Sequence, residues 1–277
     1  MSPATIAPES TIPMTPEEPA AAVSGHVLAL HCSGAGGHQW KSWRSLASDR
    51  LEIVAPPLLG YESTLEWDME QRLDLEAEAR AIAPVLAECG DGVHLVGHSY
   101  GGAVAIELAL RHPDRIRSLT LYEPVRFALL REYGDAEWFE IGSVARQIVK
   151  LALTGSLEEP SKFFVDYWSG PGTWARLPPA VRKATRLRLT KVCAEFDALF
   201  SDVRPLADYG RLGMPVHLLC GTESPAPALR VVDRLAQLWP GARRTRLVGL
   251  GHMGPVQDPA RVMAAAGMTG NADHERA

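Results

Sequence analysis

Residues 93–105 constrain the fold of this chain more than any other stretch. A short apolar run ends at Gly97, a run of small helix-forming residues begins after Gly102, and between them stands Gly97-His98-Ser99-Tyr100-Gly101. A strand that turns this abruptly into a helix brings the two elements too close for side chains, which accounts for glycine on both flanks. The turn holds its serine at the apex in strained backbone, and the new helix presents unpaired N–H groups to a developing anion. A glycine-rich turn with a passive serine is the bland alternative. The strand pattern before the pentapeptide and the helix pattern after it favour a nucleophile.

The rest of the chain alternates in the same way. Strand patterns at 26–30, 51–55, 93–97, 119–122, 216–220 and 244–248 are separated by helical patterns at 72–88, 103–111 and 226–238, with a short closing helix at 259–267. Pro84 weakens the second half of the 72–88 helix. Alternation of this kind implies right-handed crossovers, a mainly parallel sheet, and helices on both faces, so the fold class is α/β and doubly wound. From about 125 to 206 the strand signal stops, and helical patterns run at 138–153, 160–168 and 179–200. An all-helical insertion in an α/β chain reads as a cap over the carboxyl edge of the sheet, where such folds bind ligands. The expected organisation is therefore a core of 25–125 and 207–267, a cap of 126–206, and disordered tails at 1–24 and 268–277.

Composition excludes several classes. With 277 residues, a net charge of −5 and no basic cluster, the chain gives no reason to expect nucleic acid or an anionic membrane as partner. Cys32, Cys89, Cys193 and Cys220 lie far apart, without metal-ligand or redox spacing, and read as free thiols. No apolar run approaches bilayer length, and the N-terminus lacks the basic start and apolar core of a signal peptide. The expectation is a cytoplasmic protein acting on a small molecule without metal or organic cofactor, with a homodimer as the one macromolecular association kept open.

A serine hydroxyl needs a base to become a nucleophile. Among nine histidines, His252 sits in the loop Gly249-Leu250-Gly251-His252 after the last strand, at the same sheet edge as Ser99. His98 lies inside the turn with its side chain expected to point away, and His31 is expected to brace the loop it opens. The backbone donors that a tetrahedral oxyanion requires would come from the N–H of Tyr100, directly after the nucleophile, and the N–H of Ser33 in His31-Cys32-Ser33-Gly34.

These motifs, together with Leu121-Tyr122-Glu123-Pro124 and Gly249-Leu250-Gly251-His252-Met253, resemble the α/β-hydrolase superfamily over nearly all of residues 26–267. The resemblance implies a Ser–acid–His triad with an oxyanion hole, mapped onto Ser99, His252, Ser33 and Tyr100. The acid is where the chain departs from the pattern. That architecture usually places an aspartate after the strand before the last, and here Gly221-Thr222-Glu223-Ser224-Pro225 puts Ser224 in its place. A serine cannot stabilise an imidazolium as a carboxylate does. Glu223 is adjacent but one residue out of step; Glu123 ends the strand that follows the elbow helix, a position with a precedent among haloalkane dehalogenases. Glu123 is the preferred acid, with Glu223 and a carboxylate-free site as alternatives. Two further departures are Cys32, where glycine is usual, and the lack of clear strands before residue 26.

The resulting expectation is hydrolysis of a carboxylic ester through an acyl-enzyme. Trp40, Leu58, Tyr100, Phe127 and Met253 would wall the pocket, together with cap residues such as Trp138, Phe164 and Trp168. This lining suits a small to medium apolar or aromatic substrate. Cleavage of a carbon–carbon bond, an amide or a lactone, and cofactor-free perhydrolysis, use the same parts and stay open. So does a non-catalytic protein that binds a small ligand on the same fold.

Overall fold

In the computed structural model, residues 23–62 and 65–269 are described. The tails expected at 1–24 and 268–277 lie outside them, except at their inner ends. There Val23 N–H donates to Gly267 O, and Met268 is buried.

Six strands form one sheet: β1 (Gly25–Leu30), β2 (Leu51–Val54), β3 (Val93–His98), β4 (Ile116–Tyr122), β5 (Val216–Gly221) and β6 (Arg243–Leu247). Their order is β2-β1-β3-β4-β5-β6, and every pairing is parallel. All six residues of β3 and of β5 are buried, as parallel strands covered on both faces require. The period of two decides which side each residue serves. Leu28 and Leu30 of β1, with Leu95, Leu121 and Leu218, enter the larger core. Val27 and Ala29, with Val96, Tyr122 and Leu219, enter a smaller one on the opposite face.

The helices are α1 (Lys41–Leu46), α2 (Leu75–Glu88), α3 (Tyr100–Arg111), α4 (Ala128–Tyr133), α5 (Glu137–Ala152), α6 (Glu158–Ser169), α7 (Thr173–Arg176), α8 (Pro179–Ser201), α9 (Leu206–Tyr209), α10 (Ala226–Leu238), α11 (Gly254–Gln257) and α12 (Pro259–Ala265). The helix expected from residue 72 starts at Leu75 because Asp74 caps it, accepting from Ala77 N–H at 2.6 Å. It also runs through Pro84, which is exposed, so the carbonyl left without an intrahelical donor can turn to water.

All helices from α4 to α9 lie between β4 and β5, which is the insertion expected from the loss of strand pattern. Its two ends meet. Arg126, whose side chain is fully buried, donates to Asp202 Oδ2 at 2.7 Å, to Glu107 Oε2 at 3.2 Å and to Ala103 O at 3.1 Å. Arg204 binds the same Glu107 carboxylate and also Asp208. A buried guanidinium is tolerable only when its donors are met by partners of this kind. The entry and exit of the insertion are thus bound to α3 and to each other.

Buried histidines give the fold a pH dependence. Burial pushes His31 down to about 3 and His217 down to about 4, and holds His98 well below the usual imidazole range. The unfolded chain, with imidazoles near 6.5, takes up protons that these folded sites refuse. Their contribution is complete above about pH 6.5 and is lost as pH falls toward the lowered values, by at most about 1.4 kcal/mol per pH unit per ring. The urea midpoint should therefore be lower at pH 5 than at pH 7.5. An equal or higher midpoint at pH 5 would show that the rings are not held neutral.

Candidate active site

The carboxyl ends of β1, β3, β4 and the loop after β6 converge on one point. At the end of β3, Ser99 takes φ 55°, ψ −120°, and α3 begins at the next residue. Gly97 and Gly101 make this turn feasible. A Cβ on Gly97 would stand 2.6 Å from Gly102 Cα, and one on Gly101 would stand 2.4 Å from the carbonyl oxygens of Leu30 and His31. Among the described residues, only Ser99 and Glu123 (φ 44°) are non-glycine residues with positive φ. Backbone strain is thus concentrated on two residues at the same edge of the sheet.

His252 joins them. Its Nε2 lies 2.9 Å from Ser99 Oγ, and its Nδ1 lies 2.7 Å from Glu123 Oε2. A carboxylate only accepts, so Nδ1 carries the proton and Nε2 is left to accept from the serine hydroxyl. Glu123 is fully buried, and its other oxygen accepts from Gly221 N–H at 2.7 Å and from Ser224 Oγ–H at 2.5 Å. Three donors satisfy a carboxylate that would otherwise be costly to bury. Ser224, where an aspartate was expected, therefore binds the carboxylate that meets the histidine. Glu223 is exposed, and its nearest polar side-chain contact is Thr222 Oγ1 at 3.3 Å.

Two histidines brace this arrangement from behind. His98 Nε2–H donates to the His252 carbonyl at 2.8 Å, and its Nδ1 accepts from Gln39 Nε2 at 3.1 Å. Burial and the neighbouring His252 keep it neutral, which both bonds require. His31 Nδ1–H donates to Cys32 O at 2.8 Å while its Nε2 accepts from Leu58 N–H at 3.0 Å. The partner roles of His98 and Gln39 were not legible in the sequence. Period-two alternation places the His98 side chain opposite the nucleophile, but nothing local says that it reaches a loop 154 residues away.

In the loop after β1, Cys32 N–H donates to Gln39 Oε1 at 3.0 Å and Gly34 N–H to Tyr61 Oη at 2.7 Å. The Ser33 N–H between them donates to no group among the described residues, and the same is true of Tyr100 N–H. These are the two donors proposed from the motif.

A cavity of about 650 Å³ opens over these groups. Ser33, Ser99, His252 and Met253 line it from the core, and Phe127, Phe164, Trp168, Thr185 and Arg188 from the inserted segment. The Trp168 ring lies 4.3 Å from that of His252. Four expected walls do not line it. Trp40, the residue before α1, is completely buried in the smaller core on the other face of the sheet, edge-on to Trp43 at 4.7 Å. Leu58 is core. The Tyr100 ring is buried, with its hydroxyl donating to Glu78 Oε1 at 3.2 Å. Trp138 lines a separate cavity of about 510 Å³ against α8. Among the described residues, no group of three or more His, Cys, Asp or Glu side chains could hold a metal ion, and no helix is long and apolar enough to cross a membrane.

Comparison with known proteins agrees with this geometry at the level of the family. A model of the alpha/beta hydrolase family matches residues 27–266. A 2-hydroxymuconate semialdehyde hydrolase of Pseudomonas sp. (strain CF600) is 35% identical over 118 residues, 40% of this chain and 41% of the relative. The lipase LipV of Mycobacterium tuberculosis is 38% identical over 104 residues, 36% of this chain and 38% of the relative. The chain thus spans about two fifths of the length of these curated relatives. Among solved structures, MenH from S. aureus superposes with a TM-score of 0.69 at 15% identity, covering 90% of this chain and 95% of that one. A thermophilic esterase from Thermogutta terrifontis superposes with a TM-score of 0.63 at 19% identity, covering 89% of each.

Proposed function

This chain belongs to the alpha/beta hydrolase family, and from that premise we propose that it hydrolyses a carboxylic ester through an acyl-enzyme on Ser99. The observation that carries the reading is the single histidine between serine and carboxylate, 2.9 Å from one and 2.7 Å from the other. Ser99 Oγ attacks the ester carbonyl while His252 Nε2 takes its proton. Glu123 stabilises the imidazolium, and the N–H groups of Ser33 and Tyr100 receive the charge on the carbonyl oxygen. His252 then protonates the departing alcohol, and in the second half it activates water against the acyl-enzyme. No step calls on a cofactor.

The inserted helices act as a cap that selects the substrate. The apolar part of the cavity wall, with Phe127, Phe164, Trp168 and Met253, suits a small to medium apolar or aromatic acyl group. Trp168→Ala or Phe164→Ala should alter the ranking of acyl chain lengths more than the rate on acetate esters. An equal loss on every ester would assign those residues to folding instead.

The decisive test is labelling with a fluorophosphonate. It should attach to Ser99 alone and stop turnover of p-nitrophenyl esters, whereas attachment at another serine would remove Ser99 from the mechanism. One observation favours a second reading: the relative at 35% identity is named for hydrolysis of 2-hydroxymuconate semialdehyde. The same residues would then cleave a carbon–carbon bond. A panel of esters, amides, lactones and vinylogous diketones, run on wild type and Ser99→Ala, separates the two.

A further inference from the structure

The loop carrying the Ser33 N–H is held peptide by peptide. The Cys32–Ser33 peptide, which bears that N–H, has its carbonyl fixed by His31 at 2.8 Å. The next peptide is fixed through Gly34 N–H, which donates to Tyr61 Oη at 2.7 Å. Beyond it, the carbonyls of Gly34 and Ala35 both accept from Arg188 Nη1, the first at 3.1 Å. Gly34 itself sits at φ 75°, a conformation glycine reaches without strain, so its own backbone does not fix the loop and the hydrogen bonds do.

His31 belongs to the core, but the other two grips lead to the inserted segment. Tyr61 Oη donates to Glu195 Oε1 at 2.8 Å, and Lys191 Nζ bridges Glu195 at 3.0 Å and Glu78 at 2.7 Å. Lys191 and Glu195 are 4% and 1% exposed, so this chain of bonds is shielded from water, where a hydrogen bond to a charged group is strong. Arg188, Lys191 and Glu195 follow one another at three and four residues along α8 and so share a face of that helix. The Arg188 guanidinium also lies over the Tyr61 ring, 5.6 Å from its centroid, which ties the two grips together.

We propose that Tyr61 and Arg188 are positioning residues that aim the Ser33 N–H at the developing oxyanion, so that one face of α8 sets the geometry of a donor belonging to the core. The proposal rests on the reading of Ser33 as an oxyanion donor and adds what holds it there. Removing an oxyanion donor outright costs about a hundred- to a thousandfold in turnover. Releasing one grip displaces the donor without deleting it, so a smaller loss is expected, on the order of ten- to a hundredfold in kcat/KM.

The test uses Tyr61→Phe and Arg188→Met with three probes of one acyl group: a p-nitrophenyl ester, a trifluoromethyl ketone and an amide. The ketone accepts Ser99 Oγ at its carbonyl carbon and leaves an oxyanion in the hole, while the amide binds without that charge. Each variant should lose kcat/KM and bind the ketone more weakly by the same factor, and in Tyr61→Phe, whose side chain does not line the cavity, amide affinity should stay within about twofold of wild type. Amide-proton exchange at Gly34 should quicken in Tyr61→Phe, and Arg188→Lys, which keeps the charge and a donor, should recover part of the loss. Ketone inhibition that is equally strong in wild type and both variants overturns the positioning role alone. So does amide binding in Tyr61→Phe that weakens as much as ketone binding. A wild type that the ketone does not inhibit overturns the ester reading itself, and the positioning role with it.

Discussion

Ser99→Ala is expected to remove multiple-turnover ester hydrolysis and leave a folded protein. The loss should be at least about a thousandfold, and removal of the nucleophile from a complete triad approaches about a millionfold in a well-studied serine protease. Folding should survive because alanine keeps the Cβ at φ 55°, so the strain of the turn does not change, and only the hydrogen bond to His252 is lost. Circular dichroism and the urea midpoint check the fold, and p-nitrophenyl ester turnover checks the chemistry. Full activity in the variant would end the nucleophile assignment. A wild type that acylates once and stops would be a ligand-binding protein with a preserved site.

The second large effect is at the acid. Glu123→Gln should lower turnover on the order of ten-thousandfold, the scale of the equivalent change in a serine protease. Here the surroundings dictate how it fails. Gly221 N–H and Ser224 Oγ–H both donate to Oε1, so the glutamine oxygen must face them and its NH₂ must face His252 Nδ1. That forces the ring proton onto Nε2, which can then take nothing from Ser99. Glu223→Gln should cost little, since that side chain points into solvent. Ser224→Asp added to Glu123→Gln should restore part of the activity. If Glu223→Gln is the dead variant and Glu123→Gln works, the acid has been placed after the wrong strand.

The sequence makes the layered sheet and the place of the insertion readable because strand and helix periods differ, and the period breaks off where β4 ends. Serine, histidine and glutamate could be singled out because each follows a strand, and in a parallel sheet all strands end at one edge. The pocket was harder. Trp40 follows β1 closely and is aromatic, yet the face of the sheet that it and the adjoining α1 cover depends on packing against α12 (Pro259–Ala265), at the far end of the chain. The supports were harder still. Gln39, Tyr61 and Arg188 reach their partners across 59, 134 and 154 residues, and no local pattern encodes contacts of that range.

The ion cluster around Arg126 has a consequence for how such a chain can diversify. Arg126 and Asp202 clasp each other at the root of the excursion, and Arg230 and Arg234 of α10 hold Glu137 and Asp135 near its start, so the segment is a closed loop pinned at its root and along α10. The entropy of closing a loop grows only with the logarithm of its length, about 0.6 kcal/mol for each doubling. Stretches of the segment that touch neither α10 nor the loop after β1 can therefore change length at small entropic cost, while the clasp, the α10 contacts and the grip of α8 have to be kept. If the inserted helices select the substrate as proposed, their outer part can change while the residues beneath it stay in place.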